Sequence, residues 1–171
     1  MRDIFNSCLI TACILERVGT VKQLVLFIGI QASGKSTLYY ERFQGSYTHI
    51  NLDRLHTRNK ERIKFLDAVS KGEDIVIDNT NPTKAERRRY IPLAKENGYR
   101  IMAYYFQSCI KDCIDRNERR DTKTKIPCNA IAHTHRILEL PSYNEGFDEM
   151  YYVRMGDKNM IVEKWGDNDE I

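Results

Sequence analysis

The sequence predicts an α/β fold: a doubly wound, mostly parallel sheet with helices on both faces. Three observations carry that expectation. Short apolar runs recur at residues 24–28, 74–77 and 100–106, each of strand length and too short for a helix. Between them lie stretches whose apolar residues are spaced for one face of a helix, and strands alternating with helices return in parallel. The chain has 171 residues, 42% hydrophobic and 30% charged, which bounds it to one globular domain with a real core.

The elements follow in order. Residues 24–28 form a continuous apolar run ended by Gly29, as in a strand buried on both faces. Residues 35–43 read as a helix and 47–52 as a second strand. A long amphipathic helix is expected at 53–70, with Leu55, Ile63, Leu66 and Val69 on a charged background and Gly72 as its stop. The third strand, 74–77, ends in Asp78. Pro82 should open the next helix, which runs to about Asn97 and stops at Gly98, with Pro92 kinking it. A strand at 100–106, a helix at 110–120, a polar basic segment to Pro127, a helix at 129–140 and late strands at 149–153 and 160–162 complete the pattern. The charged tail after Trp165 is expected to fray.

Cysteine usage speaks to compartment. Cys8, Cys13, Cys109, Cys113 and Cys128 are odd in number, form no Cys-x-x-Cys pair and have no histidine at ligand spacing beside them. That argues against a disulfide framework and a zinc site, and for a reducing, cytoplasmic setting. The net charge of +3 permits a phosphate-bearing partner without demanding one. Residues 1–20 form an atypical N-terminal extension. Their apolar run is interrupted by Asn6 and Ser7, follows an Arg2-Asp3 pair of no net charge, and is too short to span a bilayer. Two readings stay open for it: an extra helix, or a stretch upstream of the true start. The domain proper is expected at 21–171, with no membrane association and no obligate protein partner.

The chemistry starts at residues 29–37, Gly-Ile-Gln-Ala-Ser-Gly-Lys-Ser-Thr. This is the G-x-x-x-x-G-K-[ST] pattern, and it follows a predicted strand and opens a predicted helix, the context that gives the motif its meaning. Gly29 and Gly34 let the backbone approach phosphate oxygens. Amides from Ser33 to Thr37, with the helix dipole, hold the anion. Lys35 places its charge on the β- and γ-phosphates, and Ser36 offers its hydroxyl to Mg2+. ATP and Mg2+ are therefore the expected cofactors, and the fold is that of a P-loop nucleoside-triphosphate hydrolase.

No Asn-Lys-x-Asp element for reading guanine is present, and the chain is too short for a large motor ATPase. The small kinase type remains, in which a basic lid closes over ATP. Arg116-Asn117-Glu118-Arg119-Arg120, continuing to Lys123 and Lys125, fits such a lid. It would neutralise charge on the transferred phosphoryl group and exclude water. Asp53 and Asp78 follow strands, and ligands of doubly wound sheets sit at strand carboxyl ends. Asp78 reads as the Walker B acid beside the metal. Asp53 reads as the acceptor of a hydroxyl proton or as a helix N-cap, and one residue can do both.

The runs GIQASGKST, INLD, DNTNP (78–82), RNERR and EGFDEMYYV (145–153) occur in this order. Over about residues 22–154 the chain resembles the kinase domain of polynucleotide kinases, and most of all the free-standing bacterial P-loop kinases related to it. The resemblance implies an ATP-dependent kinase acting on 5′-hydroxyl ends of DNA or RNA. It makes Asp53 the general base, Arg120 and Arg116 the lid arginines, and puts Thr80 and Asn81 near the acceptor strand. The chain departs from the phage enzyme at His56, where that enzyme has an acceptor-binding arginine; Arg54 or Arg58 could substitute. No Asp-x-Asp-Gly-Thr signature occurs, so 3′-end phosphatase chemistry is not expected of these residues.

Arg87-Arg88-Arg89 and the 54–64 stretch are basic, as either solvated helix faces or phosphate contacts. Tyr39, Tyr40, Tyr47 and His49 either pack or stack on a base. Two other functions compete. One is a kinase for a small-molecule hydroxyl such as a nucleoside, sugar or antibiotic. The other is a non-enzymatic switch, against which Lys35, Ser36, Asp53 and Arg120 together argue. A channel lined by Arg54, Arg58 and 87–89 would favour a strand end, and a closed pocket a metabolite.

Overall fold

Strands β1 (Gln23–Ile28), β2 (Thr48–Ile50), β3 (Ile75–Ile77), β4 (Arg100–Phe106), β5 (Glu149–Met155) and β6 (Met160–Lys164) make one sheet in the order 2-3-1-4-5-6. The structure is a computed structural model and describes residues 21–157 and 159–166. The expectations for residues 1–20 and for the far tail lie outside these. The first five strands pair in parallel, with Leu24 opposite both Ile75 and Ile101. β6 turns back antiparallel on β5. The connection between them, closed by Gly156 N donating to Asn159 O at 3.0 Å, is too short for a crossover, so only a hairpin is possible.

Helices cover both faces, as the alternation predicted. They are α1 (Lys35–Arg42), α2 (Leu52–Leu55), α3 (Arg58–Lys71), α4 (Lys84–Arg87), α5 (Ile91–Glu96), α6 (Ile110–Glu118) and α7 (Cys128–Ile137). The period of two along β1 sorts its side chains. Leu24, Leu26 and Ile28 join Phe65, Ala68 and Val69 of α3 and Ile91 and Ala94 of α5. Val25 and Phe27 point the other way, onto Leu38 and Tyr39 of α1 and Phe43. Each such buried side chain stabilises the fold by about 1.5–3 kcal/mol relative to exposure.

Two expected helices are each broken in two. The 53–70 helix is interrupted at His56, which adopts the left-handed conformation at φ 64° and ends α2. Thr57 then caps α3, its Oγ1 accepting from Lys60 N at 3.2 Å. The 82–97 helix stops after α4, whose N-cap is Thr83 rather than Pro82. Pro92 lies in the first turn of α5, where its missing N–H leaves no helical bond unmade, so it starts a helix instead of kinking one. The effect on the site is direct. The ends of β1, β2 and β3 deliver residues 29–37, 51–53 and 78–82 to one rim of the sheet.

Candidate active site

The loop after β1 is held open from behind. Gly29 N donates to Thr80 O at 3.0 Å, and Ile30 N to Ser108 Oγ at 3.2 Å. Gly34, the residue before α1, has φ 102°, and a Cβ there would stand 2.8 Å from Met160 Cε. The flexible Met160 tip can move aside, so the backbone at φ 102° is what favours glycine here. No side chain caps α1, so its first-turn amides are available to an anion.

Lys35 is buried at 8% exposure. Its ammonium donates to Gly29 O at 3.0 Å, Ile30 O at 2.6 Å and Ser33 Oγ at 3.4 Å. Burial lowers its pKa from 10.5 to about 8, against the pull of the Asp78 charge. The loop's own carbonyls thus hold the cation that a triphosphate would take over.

Asp78 directly follows β3 with 3% exposure and is surrounded by donors. Ser36 Oγ donates to its Oδ2 at 2.8 Å, Asn51 Nδ2 lies 3.1 Å from the same oxygen, and His49 Nε2 is at 3.0 Å. Burial pushes its carboxyl up, but the His49 hydrogen bond, the Lys35 charge and the Ser36 hydroxyl outweigh burial and hold it below the usual value. Ser36 and Asp78 therefore set two hard oxygen donors side by side, a fit for Mg2+. Among the described residues no group of three or more His, Cys, Asp or Glu side chains could hold a metal. A Mg2+ ion here would complete its shell with phosphate oxygens and water.

Asn51 and His49 support Asp78 in a way that the sequence did not reveal. Asn51 Nδ2 also donates to Asp78 O at 2.9 Å, while its Oδ1 caps α2 by accepting from Arg54 N at 3.2 Å. Asn79 Oδ1 accepts from Leu52 N at 2.9 Å. Together the two asparagines fasten the end of β3 to the turn that carries Asp53. The His49 ring stacks on Tyr39 at 3.6 Å, so these two aromatics are engaged with each other. Tyr40 is exposed, and Arg54 lies over its ring at 5.7 Å.

A cleft of about 420 Å3 gathers Lys35, Ser36, Asp53, Asp78 and Arg120, along with Gly34, Thr37, Arg58 and Thr80. Four other expected residues stand elsewhere. Gly29 and Ser33 lie beneath the Lys35 ammonium. Arg116 donates from Nε to Ala32 O at 2.8 Å and braces the loop backbone, not the cleft wall. Asn81 is fully buried at φ 43° and donates to Phe27 O at 2.8 Å.

The basic segment after α6 is clasped at its base. The fully buried Asn117 donates from Nδ2 to Ile126 O at 2.7 Å and accepts from Ile126 N at 3.0 Å. Arg120 N donates to Asn117 O at 3.1 Å, which sets where Arg120 leaves the clasp.

Arg87 belongs to the interior and not to a basic face. Its side chain is 0% exposed and pairs through two nitrogens with Glu145 at 2.6 and 2.8 Å. Nη1 faces the carbonyls of Asn81, Pro82 and Glu139 at 3.1, 3.2 and 3.2 Å. It thereby joins the 78–82 loop to the 145–148 element, two motifs far apart in sequence.

Among known proteins, a protein of Acanthamoeba polyphaga mimivirus named as a bifunctional polynucleotide phosphatase/kinase is 33% identical over 153 residues, covering 84% of this chain and 36% of its own. The bifunctional polynucleotide phosphatase/kinase of Schizosaccharomyces pombe is 31% identical over 137 residues, covering 77% and 33%. The chain thus spans about a third of the length of these curated relatives. Chaetomium thermophilum Kti12, solved in complex with ADP-AlF3, shares the fold at TM-score 0.58 and 19% identity, over 79% of this chain and 90% of that one. A family model described as the AAA domain matches residues 24–141, from the first strand through the cradle, both acids and the clasped basic segment. The chain shares its fold with Kti12 and belongs to that AAA domain family.

Proposed function

We propose that the chain is an ATP-dependent kinase that transfers the γ-phosphate of ATP to a 5′-hydroxyl end of DNA or RNA. One observation carries the reading. The cleft has two acids of different standing: Asp78 is engaged by three donors, while Asp53 is exposed and makes no side-chain hydrogen bond or ion pair among the described residues. A nucleotide-binding switch needs only the first kind. A kinase needs an uncommitted carboxylate facing the incoming hydroxyl.

The roles follow. Lys35 exchanges its loop carbonyls for the β- and γ-phosphate oxygens. Asp53 accepts the proton as the 5′-oxygen bonds to the γ-phosphorus and the bond to the bridging oxygen breaks, releasing ADP. Arg120, which lines the same cleft, neutralises charge on the transferred group. Mg2+, held through Ser36 and Asp78, would supply further charge neutralisation on the phosphates. Gly29, Ser33, Gly34 and Thr37 shape the cradle, and Arg116 steadies it through Ala32. We assign the kinase domain to 21–171 and its activity to the cytoplasm. The acceptor class is supported by the polynucleotide phosphatase/kinase names of the two relatives. No helix of the described residues is long and apolar enough to cross a membrane.

The test is transfer from γ-labelled ATP to 5′-hydroxyl oligonucleotides, beside nucleosides and sugars. Label on a nucleoside or sugar but on no oligonucleotide overturns the acceptor. Asp53→Ala should keep ATP binding and lose turnover by about 10²–10⁴. An unchanged rate refutes the base assignment.

A further inference from the structure

Arg58 lines two cavities. One is the cleft, and the other is a groove of about 590 Å3 between α3 and α5. Arg58, Arg62 and Leu66 follow each other at i, i+4 and i+8, one stripe down α3. The floor is apolar: Phe65 and Tyr90 are buried, Leu93 is half-buried and Leu66 is 38% exposed. The rim is cationic. Arg58 pairs with Glu61 at 3.0 Å and Glu86 at 3.6 Å. Arg62 and Arg89 are exposed and make no ion pair among the described residues. Glu61, the one acid in the groove wall, is 3% exposed and bonded to Asn79 and Tyr90, so it does not face an incoming anion.

Two uncommitted guanidiniums over an apolar floor suit a chain that carries flat apolar faces and anions in register. We propose that the groove binds the unpaired nucleotides that follow the 5′-terminal one, and that the preferred acceptor is single-stranded. The inference rests on the kinase reading above. A duplex keeps its base faces stacked inside, whereas an unpaired strand can turn them onto Leu66 and Leu93. From Arg58 to Leu66 the helix rises about 12 Å, room for about three stacked nucleotides.

The experiment measures kcat/KM for single-stranded acceptors from a nucleoside 3′-phosphate to an octamer, and for a blunt duplex. It compares the parent with the Arg62→Glu/Arg89→Glu variant. Efficiency should climb over about the first four nucleotides and then level, and blunt ends should lag by about tenfold. The double variant should lower octamer transfer by about tenfold or more and leave the nucleoside 3′-phosphate within about twofold, which also reports intact folding. Its dependence of log kcat/KM on log salt should be shallower by about 1.4, two phosphate contacts at about 0.7 each. Oligonucleotide transfer that ignores length, a blunt duplex as good as a single strand, or a loss equal at every length overturns the groove while the kinase reading stands. No transfer to any oligonucleotide removes the polynucleotide-acceptor reading on which the groove rests.

Discussion

Replacing Arg87 by methionine strips Glu145 of its partner without opening the site to water. The guanidinium satisfies both carboxylate oxygens and faces three backbone carbonyls, all within 3.2 Å. Glu145 is only 5% exposed and would keep just the Ser142 N–H at 3.0 Å. Removing one partner of a buried, hydrogen-bonded pair costs about 3–5 kcal/mol, because the charge left behind is uncompensated. For a domain of this size each kcal/mol lowers the melting midpoint by about 2–4 °C, so a fall of about 6–20 °C is expected. Urea unfolding followed by far-ultraviolet circular dichroism measures it, with an unchanged slope showing that the same surface unfolds. The paired variant Arg87→Met/Glu145→Met removes the orphaned charge and should recover at least about 2 kcal/mol relative to the sum of the single losses. A single substitution costing under about 1 kcal/mol, or a double as damaging as the sum, refutes the reasoning. Activity should fall as well. Arg87 holds the carbonyls of Asn81 and Pro82, and that loop carries Asp78 and Thr80 into the cleft.

Lys35 yields a pH prediction. Below pH 8 it is charged in the folded and unfolded chain alike, so its burial penalty is fully present. Between about 8 and 10.5 the unfolded chain holds a proton the folded one has released, so this group makes stability rise with pH there, by about 3 kcal/mol in total. Triphosphate binding restores the ammonium, so calorimetry at pH 8.5 in buffers of different ionisation enthalpy should show proton uptake on nucleotide binding; none in the parent would contradict it, and Lys35→Met should show none. Asn117→Ala leaves the amide and carbonyl of Ile126 unpaired at about 1–3 kcal/mol each, so exchange of amides across 118–126 should quicken while β1 and β4 stay protected. Gly34→Ala should weaken nucleotide binding by about 5–30-fold in calorimetry, since φ 102° costs a side chain about 1–2 kcal/mol while the flexible Met160 tip can move aside.

The strands were legible because a strand buried on both faces must be apolar throughout, and 24–28, 75–77 and 101–106 are, with only the exposed Arg100 at the entry of β4 departing from the rule. The loop at 29–37 was legible because its glycines and the helix it opens are set by local backbone geometry. The broken helices were not. The charged background of 53–70 runs on through His56, and the break comes from Asn79 engaging Leu52 N and Thr57 capping anew. Nor was the division of labour between Arg116 and Arg120, which share one basic run but face different partners.

By itself, then, the sequence determined an α/β sheet, a glycine-rich strand-to-helix loop and the carboxylates at the sheet's rim, all matters of local pattern and periodicity. Only the tertiary structure decided which of three consecutive arginines is interior, that His49 and Asn51 hold Asp78, and that Asp53 is left uncommitted. These depend on residues as much as 58 positions apart meeting in the folded chain. A side chain's hydration and partners are set by the packed surroundings, which no local pattern encodes.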